Sequence, residues 1–330
     1  MLEVHKISSD NVSRLQKIYN EFKGLANDYY KIETSPLEYE QFKRGIELKV
    51  LKGFYATFED EPIAFVFYVI EEHRSIEINI LHVTEEFRNE DVEMELLEAL
   101  TEEAKSIPNW DVISYPMLGG QSKFVHKMSH LGFKLVGQAI VRFNLTDVIS
   151  PQIVGKLQLS EMPEGWTIDT WKPEYQEGVA KVIYESFSTA PDALFDPRFR
   201  TLEGSRKVVG MLADSTIGEF QPQCTSVLLH EGEPKGVCFG NLTTQTIGNI
   251  PLIGLMPEAQ GKKLSLHLIK NTIMNFIRDV IDAKLDCMEI NATVETDNFP
   301  ALKMYRKIGF REDYNYPHAY MENRANKKEG

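Results

Sequence analysis

The chain has 330 residues, 42% of them hydrophobic and 26% charged, and its 49 acidic side chains outnumber its 36 basic ones, for a net charge of −13. This length predicts two domains, and the composition is that of a folded globular protein rather than a disordered one. The acidic balance argues against the nucleic-acid backbone as the main ligand, although a local basic loop could still hold a small anion.

Cysteines and apolar runs narrow the class further. Three cysteines in 330 residues exclude a disulfide framework, and because none of them lies in a CxxC pair a zinc–thiolate site is disfavoured as well. The longest apolar run, residues 63–70, is too short to cross a bilayer. Glu3 and Asp10 stand where a signal peptide would be basic and then apolar. We therefore expect a cytoplasmic protein without a membrane or nucleic-acid partner and without a bound metal.

The predicted elements run through the same order twice along the chain. An opening strand is followed by helices, three strands, a loop with a long amphipathic helix, another strand, and a short helix that ends in a Gly-Phe pair. In the first copy the predicted helices are 12–22 and 38–49, and the strands include 54–58, 63–69, 76–83 and 110–115; in the second copy the helices are 174–187 and 200–213, and the strands are 225–230, 235–242, 250–255 and 287–294.

Three short landmarks recur at nearly constant offsets. The turn EDEP at 59–62 recurs as EGEP at 231–234, IYNEF at 18–22 as IYESF at 183–187, and HLGF at 130–133 as KIGF at 307–310. The offsets of 172, 165 and 177 residues drift slightly, as they do in a tandem duplication with small insertions and deletions. We therefore predict domains at 1–148 and 166–330, joined by a linker at 149–165 that contains proline and glycine.

A loop that could bind phosphate follows the fourth strand of the second copy. Residues 255–265 read LMPEAQGKKLS, which predicts a strand end, a loop and a helix start. Backbone N–H groups converge in such a loop, and the helix N-terminus adds a partial positive charge. Lys262 and Lys263 add full charges. A solvated helix start with two surface lysines explains the same pattern, so the loop alone does not decide.

A second segment supplies the deciding pattern. Residues 298–310 read NFPALKMYRKIGF and follow a strand. Together with Pro257, Gln260 and Gly261 they resemble the two motifs of the GNAT superfamily of acyl-CoA N-acyltransferases, Pro-x-x-Arg/Gln-x-x-Gly-x-Gly/Ala and Asn-x-x-Ala-x-x-x-Tyr-x-x-x-Gly-Phe. The resemblance covers residues 165–320 and extends in eroded form to 1–148. It implies an α/β (α+β) fold of two tandem GNAT-like domains, each a mixed, mostly antiparallel sheet flanked by helices on both faces.

The resemblance implies a role for each matching residue. The backbone of Ile253 and Leu255 would pair with the pantetheine arm of acetyl-CoA, and an N–H group there would polarise the thioester carbonyl. Tyr305 would be the general acid that protonates the departing CoA thiolate. The residues that the resemblance assigns to cosubstrate binding are Ile253, Leu255, Gln260, Gly261, Lys262, Lys263, Leu264, Ser265, Asn298 and Ala301.

Three positions depart from the family pattern, one of them Ser265, which stands where the first motif has glycine or alanine. The first motif's usual glycine is Lys263, a replacement that is tolerable if its φ is negative and its side chain points to solvent. Asn249 occupies the strand position where many members carry a glutamate base. The candidate bases are then Glu289 and Glu295, on or after the next strand, with a water relay as the alternative.

The first copy has lost the features that would bind a pyrophosphate. Its loop carries the carboxylates of Glu90, Asp91 and Glu93, which would repel that ligand. Met128 stands at the tyrosine position and Gln121 at the asparagine position. We therefore expect a degenerate, non-catalytic domain that covers a sheet edge of the second copy, shapes its acceptor pocket, or does both.

The sequence thus predicts an N-acetyltransferase that moves an acetyl group from acetyl-CoA to a primary amine by direct attack. The acceptor would be a small molecule or a peptide, the protein a monomer or homodimer, and residues 192–200 a flexible loop on the acceptor side. Two other classes remain open. Asn249 favours a non-catalytic acyl-CoA sensor or scaffold, and the net charge counts against aminoacyl transfer from tRNA.

Overall fold

The computed structural model describes residues 1–71, 74–88, 90–146, 155–158 and 160–323. Of the predicted linker, 149–154 and residue 159 lie outside the described residues. The elements in chain order are β1 (Leu2–Lys6), α1 (Gln16–Leu25), α2 (Tyr39–Glu47), β2 (Leu51–Phe58), β3 (Glu61–Ile70), β4 (Ser75–Val83), α3 (Glu90–Ser106), β5 (Val112–Pro116), α4 (Val125–His130), β6 (Lys134–Asn144), β7 (Trp166–Thr170), α5 (Gln176–Phe187), α6 (Asp192–Phe195), α7 (Leu202–Ala213), β8 (Glu219–Phe220), β9 (Ser226–His230), β10 (Glu233–Cys238), β11 (Asn241–Thr244), β12 (Ile247–Asn249), β13 (Ile253–Leu255), α8 (Leu264–Ile281), β14 (Glu289–Glu295), α9 (Phe299–Ile308) and β15 (Arg311–Glu322).

The chain divides into two compact units. Unit 1 comprises Met1–Val136 with Tyr316–Gly330, and unit 2 comprises Gly137–Asn315. In unit 1 the strand order is β1-β2-β3-β4-β5-β15, and in unit 2 the orders are β6-β14-β12-β11-β8 and β13-β10-β9-β7. Adjacent strands are antiparallel except for β4 with β5 and β12 with β14. The predicted mixed, mostly antiparallel architecture is confirmed.

Alternation along the strands places a hydrophobic core on each face of the sheet in unit 1. Phe65 of β3 packs into the core beneath α1 and α2, while its neighbour Val66 packs into the core beneath α3. Successive side chains of a strand point to opposite faces, so a strand buried on both sides must be apolar at every position. The β2–β3 turn is tight because Glu59 and Asp60 both adopt positive φ, 51° and 67°.

The two units differ from the predicted domains because each takes a strand from the other half of the chain. Residues 138–144 of β6 pair with β14 in unit 2, and residues 318–322 of β15 pair with β5 in unit 1. A boundary at 148 and 166 cuts both sheets, because it separates β6 from β14 and β15 from β5. Proline and glycine residues indicate where the chain turns, whereas the limits of the compact units depend on which strands pair.

The duplication is visible in matching backbone hydrogen bonds. The N–H of Thr84 donates to the carbonyl of Ile63 at 2.9 Å, and 172 residues later Met256 donates to Lys235 at 2.9 Å. After the short helices, Phe133 donates to Met128 at 3.0 Å and Phe310 to Tyr305 at 3.1 Å. The repeat therefore holds in local geometry as well as in sequence. Among the residues that the structure describes, no helix is both long and apolar enough to cross a membrane.

Candidate active site

In unit 2 the parallel strands β12 and β14 pair at first, and beyond this pairing the chain leaves β14, so that a gap opens between β13 and β14. Residues 247–249 of β12 pair with 289–291 of β14, and the N–H of Ile250 still donates to Asn291 at 2.9 Å. The chain then continues as β13, which pairs with β10 in the other sheet. The backbone on either side of the gap therefore faces a space that none of the strands in the described part of the chain fills.

A cavity of about 640 Å³ occupies this gap. Seven residues that the sequence singles out line it: Ile253, Leu255, Gln260, Ser265, Glu295, Asn298 and Ala301. One further lining residue, Asp192, belongs to the acceptor-side segment 192–200 that the sequence predicted. The sequence predicted no role for the remaining lining residues, which are Ser186, Phe187, Ala190, Pro191, Gly254, Asp297, Pro300 and Met304. Ser186 and Phe187 belong to the repeated landmark at 183–187, which was the available signal for this wall of the cavity.

The backbone of β13 offers hydrogen-bonding groups to the cavity. The carbonyl of Leu252 and the N–H of Met256 both bond toward β10. Because backbone groups alternate in direction along a strand, those of Ile253 and Leu255 point to the opposite edge. There the carbonyl of Leu255 accepts hydrogen bonds from Ser186 Oγ at 3.1 Å and from Gln260 Nε2 at 3.3 Å.

The loop before α8 turns sharply and is exposed. Gly261 has φ 74° and Lys263 has φ 62°, so the negative φ that would make a side chain at 263 tolerable is not found. The left-handed conformation lets the chain enter α8 at Leu264 directly after the loop, at a strain that glycine would not carry. The helix start offers unbonded N–H groups and the positive end of the helix dipole. Lys262 lies with its Nζ 5.0 Å from the centroid of the Trp166 ring.

The second motif forms a capped helix. Asn298 Oδ1 accepts a hydrogen bond from the N–H of Ala301 at 3.2 Å, which caps α9, and Gly309 ends the helix with φ 127°. Much of the Asn-x-x-Ala…Gly-Phe pattern thus serves to begin and end the helix, with Asn298 as the N-cap and Gly309 at the C-terminus. The cap also orients the first turn of α9, so that Asn298 and Ala301 line the cavity.

Tyr305 lies beneath the cavity rather than in its lining. It is 3% exposed and packs edge-on against Phe310, with ring centroids 4.9 Å apart. Burial, with a smaller contribution from Cys238, raises the pKa of Tyr305 well above its usual value. Cys238 pairs with Ile253 in the β10–β13 ladder, so the phenol lies close to the strand that borders the cavity. Its hydroxyl stays protonated at neutral pH.

The two candidate bases have different environments. Glu289 binds Arg142 Nη1 at 2.5 Å at the start of β14, and the structure does not bring it to the cavity. Glu295, at the other end of β14, lines the cavity together with Asp192 of α6. Asn249, at the usual base position, donates from Nδ2 to Asn241 Oδ1 at 3.1 Å instead. Of the two candidate bases, Glu295 is therefore the one that lies at the cavity.

The environment of Glu295 suits proton transfer near neutral pH. Burial, the negative charge and hydrogen bond of Asp192, and the charge of Asp297 together raise the pKa of Glu295 to about 7. Burial also raises the pKa of Asp192. The charge of one carboxylate disfavours ionisation of the other, because ionising both would place like charges near each other in the cavity.

The equivalent place in unit 1 is almost closed. A cavity of only about 10 Å³ remains there, lined by Tyr29, Tyr30, Leu81, Val83, Arg88, Glu93, Gly120 and Gln121. By the repeat offsets, Leu81 and Val83 correspond to Ile253 and Leu255. The guanidinium of Arg88 lies 4.4 Å from the centroid of the Tyr29 ring. Asn89 and the side chain of Glu90 lie outside the described part of the chain.

Similarity to known proteins appears in the fold alone. No protein-family model matches the sequence, and no curated protein matches it significantly. A GCN5-related N-acetyltransferase from Sphaerobacter thermophilus matches with TM-score 0.66 and 16% identity, over 97% of this chain and 95% of that one. A tandem GNAT protein from the clavulanic acid biosynthesis pathway matches with TM-score 0.61 and 10% identity, over 98% of both chains.

A third solved structure matches only part of a larger chain. It is a GCN5-related glucosamine N-acetyltransferase region of a fungal multi-domain β-N-acetylglucosaminidase, with TM-score 0.63 and 13% identity, over 97% of this chain and 38% of that one. Together these likenesses establish the tandem GNAT fold that the sequence motifs predicted.

Proposed function

We propose that this protein is an N-acetyltransferase that transfers an acetyl group from acetyl-CoA to a primary amine in the cavity of unit 2. The observation that carries the proposal is the gap between β13 and β14. It has backbone groups of Ile253 and Leu255 on one side, a helix N-terminus at the loop, and Glu295 on the other side. Acyl transfer from a thioester needs such a combination of oxyanion donors and a base.

The loop and α8 would hold the pyrophosphate of the cosubstrate. Gly261 has open space around its Cα, so the backbone can approach a phosphate closely. Lys262 and Lys263 are exposed beside it and would add positive charge. Asn298 and Ala301 would border the pantetheine arm, while an N–H of Ile253 or Leu255 would polarise the thioester carbonyl.

Glu295 would take a proton from the amine before it attacks. The reaction converts R–NH₃⁺ and acetyl-CoA into R–NH–CO–CH₃, CoA–SH and one proton: the C–N bond forms and the C–S bond breaks. The first ammonium proton would pass through Glu295 to solvent. Tyr305 would give its proton to the CoA sulfur, and the second proton that the amine loses would restore the Tyr305 hydroxyl. A carboxyl with a pKa of about 7 is matched to this task.

Unit 1 would not bind acetyl-CoA. A cavity of about 10 Å³ against about 640 Å³ in unit 2 supports this, as does Glu93 at the position that Ser265 occupies in the second copy. A carboxylate beside a pyrophosphate would repel it. We therefore expect one cosubstrate per chain. A cytoplasmic location remains a prediction from the sequence.

Calorimetric titration of acetyl-CoA into the full chain tests the cosubstrate, and thiol release in the presence of spermidine, glucosamine or a lysine peptide tests the reaction. We expect binding at one site per chain and thiol release that requires one of these amines. No binding of acetyl-CoA would overturn the proposal.

A non-catalytic acyl-CoA sensor is the second candidate. Asn249, bonded to Asn241, supports it because the usual base position then holds no carboxyl. The two candidates differ in one readout. A sensor would bind acetyl-CoA at one site and release no thiol above the background rate with any primary amine offered.

A further inference from the structure

The segment that carries Asp192 is held in place by its own contacts. The N–H of Asp196 donates to the carbonyl of Asp192 at 2.9 Å, and Arg198 binds the Asp196 carboxylate through Nη2 at 2.6 Å and Nε at 3.0 Å. Arg200 Nε donates to the carbonyl of Ala193 at 2.8 Å. The sequence predicted a flexible loop here, whereas these bonds fix Asp192 against the cavity.

Asp192 and Glu295 line the same cavity although 103 positions separate them in the chain. Each carboxyl lies near enough to change the proton affinity of the other. A hydrogen bond between two carboxyl groups requires one of them to carry a proton, because two ionised carboxylates have no donor between them.

We propose that Asp192 is a positioning residue for the base. Its carboxylate accepts a hydrogen bond from the protonated Glu295 and, by its negative charge, makes Glu295 a stronger proton acceptor for the amine. This inference rests on the proposed N-acetyltransferase function. It adds an acidic partner from α6 that orients the base, and the pair holds one net negative charge toward an incoming ammonium group.

The other charged groups around the pair act less directly. Asp297, on the same segment as Glu295, is the only other carboxylate of the described residues with an electrostatic effect on it. Gln138, which lies opposite Glu295 on β6, is uncharged. Asp196 raises the pKa of Asp192, but the guanidinium of Arg198 bound to it counters its charge.

The test compares the full chain with Asp192→Asn and with Asp297→Asn as the matched control. The carboxyl carbon of Glu295 is followed by NMR from about pH 4 to pH 9, with Glu295→Gln to assign its signal. We expect a midpoint near pH 7 in the parent protein and a fall of about one pH unit or more in Asp192→Asn, since a charge and its hydrogen bond are both lost. Asp297 acts on Glu295 through its charge alone, so Asp297→Asn should lower the midpoint by less than Asp192→Asn does.

An unchanged midpoint in Asp192→Asn, or equal shifts in the two variants, would overturn the role of Asp192. Acetyl-CoA titration on the same samples separates this result from the wider proposal. If the cosubstrate fails to bind, the N-acetyltransferase function falls while the NMR midpoints still decide whether the pair exists. If it binds and an amine releases thiol, the acid limb of kcat/KM should move to lower pH in Asp192→Asn, and a structural role would not move it.

Discussion

Gln260 donates a hydrogen bond from its side chain to the carbonyl of Leu255, at 3.3 Å, and so links the loop before α8 to the strand that borders the cavity. The same bond occurs 172 residues earlier, where Arg88 Nε donates to Val83 at 3.1 Å. One loop-to-strand link therefore persists in both copies, although the cavity beside it is about 640 Å³ in unit 2 and about 10 Å³ in unit 1. Either a glutamine or an arginine side chain can therefore make this hydrogen bond.

Replacement of Gln260 tests this link. Gln260→Leu removes the donor and should weaken acetyl-CoA binding by about fivefold, since a net hydrogen bond contributes about 1 kcal/mol. Gln260→Arg should bind nearly as well as the parent, because arginine makes the same bond in unit 1. Calorimetry on the three proteins decides, and a Gln260→Arg variant as weak as Gln260→Leu would contradict the shared role.

The charge of the loop should matter more than its conformation. Lys263→Glu places a carboxylate where the pyrophosphate would lie, so we expect acetyl-CoA binding to fall at least tenfold, or about 1.4 kcal/mol. Lys49→Glu is the matched control, because Lys49 is an exposed lysine with φ 61°, close to the 62° of Lys263, but lies in unit 1. Equal losses in the two variants would point to net charge rather than to a local site.

Tyr305→Phe should separate binding from turnover. The variant keeps the packing against Phe310, so acetyl-CoA affinity should stay unchanged while kcat falls by about 100-fold, at the low end for general acid catalysis. The low end is expected because burial raises the pKa of Tyr305 and makes it a weaker acid. Equal kcat in both proteins from about pH 6 to pH 9 would remove the acid role.

Glu295→Gln should stabilise the protein more at high pH than at low pH. Burial and Asp192 raise the pKa of Glu295 from 4.5 to about 7, so the folded state binds more protons than the unfolded state in that interval. The contribution of Glu295 to stability therefore falls as the pH rises through it. We expect the Tm of Glu295→Gln to exceed that of the parent by more at about pH 8 than at about pH 5.

A second substitution on β14 serves as the control for this pH effect. Glu289→Gln removes the ion pair with Arg142 and should bring no such gain. A Tm difference for Glu295→Gln that does not change with pH would contradict the shifted titration.

Fragments should fold according to the compact units rather than the sequence repeat. A fragment 137–315 keeps β6 beside β14, whereas 166–330 lacks β6 and carries the part of β15 that pairs with β5. We expect 137–315 to unfold cooperatively and 166–330 to exchange its β14 amides rapidly, because that strand loses a neighbour. Slow exchange of the β14 amides in 166–330 would contradict this prediction, because it would show that β14 is stable without β6.

The sequence by itself determined the duplication, the order of elements and six of the residues that line the cavity of unit 2. These features rest on local signals: the acidic turns, the Gly-Phe helix ends, and a loop followed by a helix start, all encoded by neighbouring residues. The residues Ile253, Leu255, Gln260, Ser265, Asn298 and Ala301 could be predicted because each occupies a fixed place within such a motif.

Only the tertiary structure decided which carboxyl could serve as the base and where each unit ends. Glu289 and Glu295 lie on the same strand and look alike in sequence, but one faces Arg142 and the other faces Asp192 from 103 positions away. Likewise, the pairing of β6 with β14 joins residues about 150 positions apart. Proton affinity and strand partnership depend on groups brought together by folding, and no local pattern encodes them.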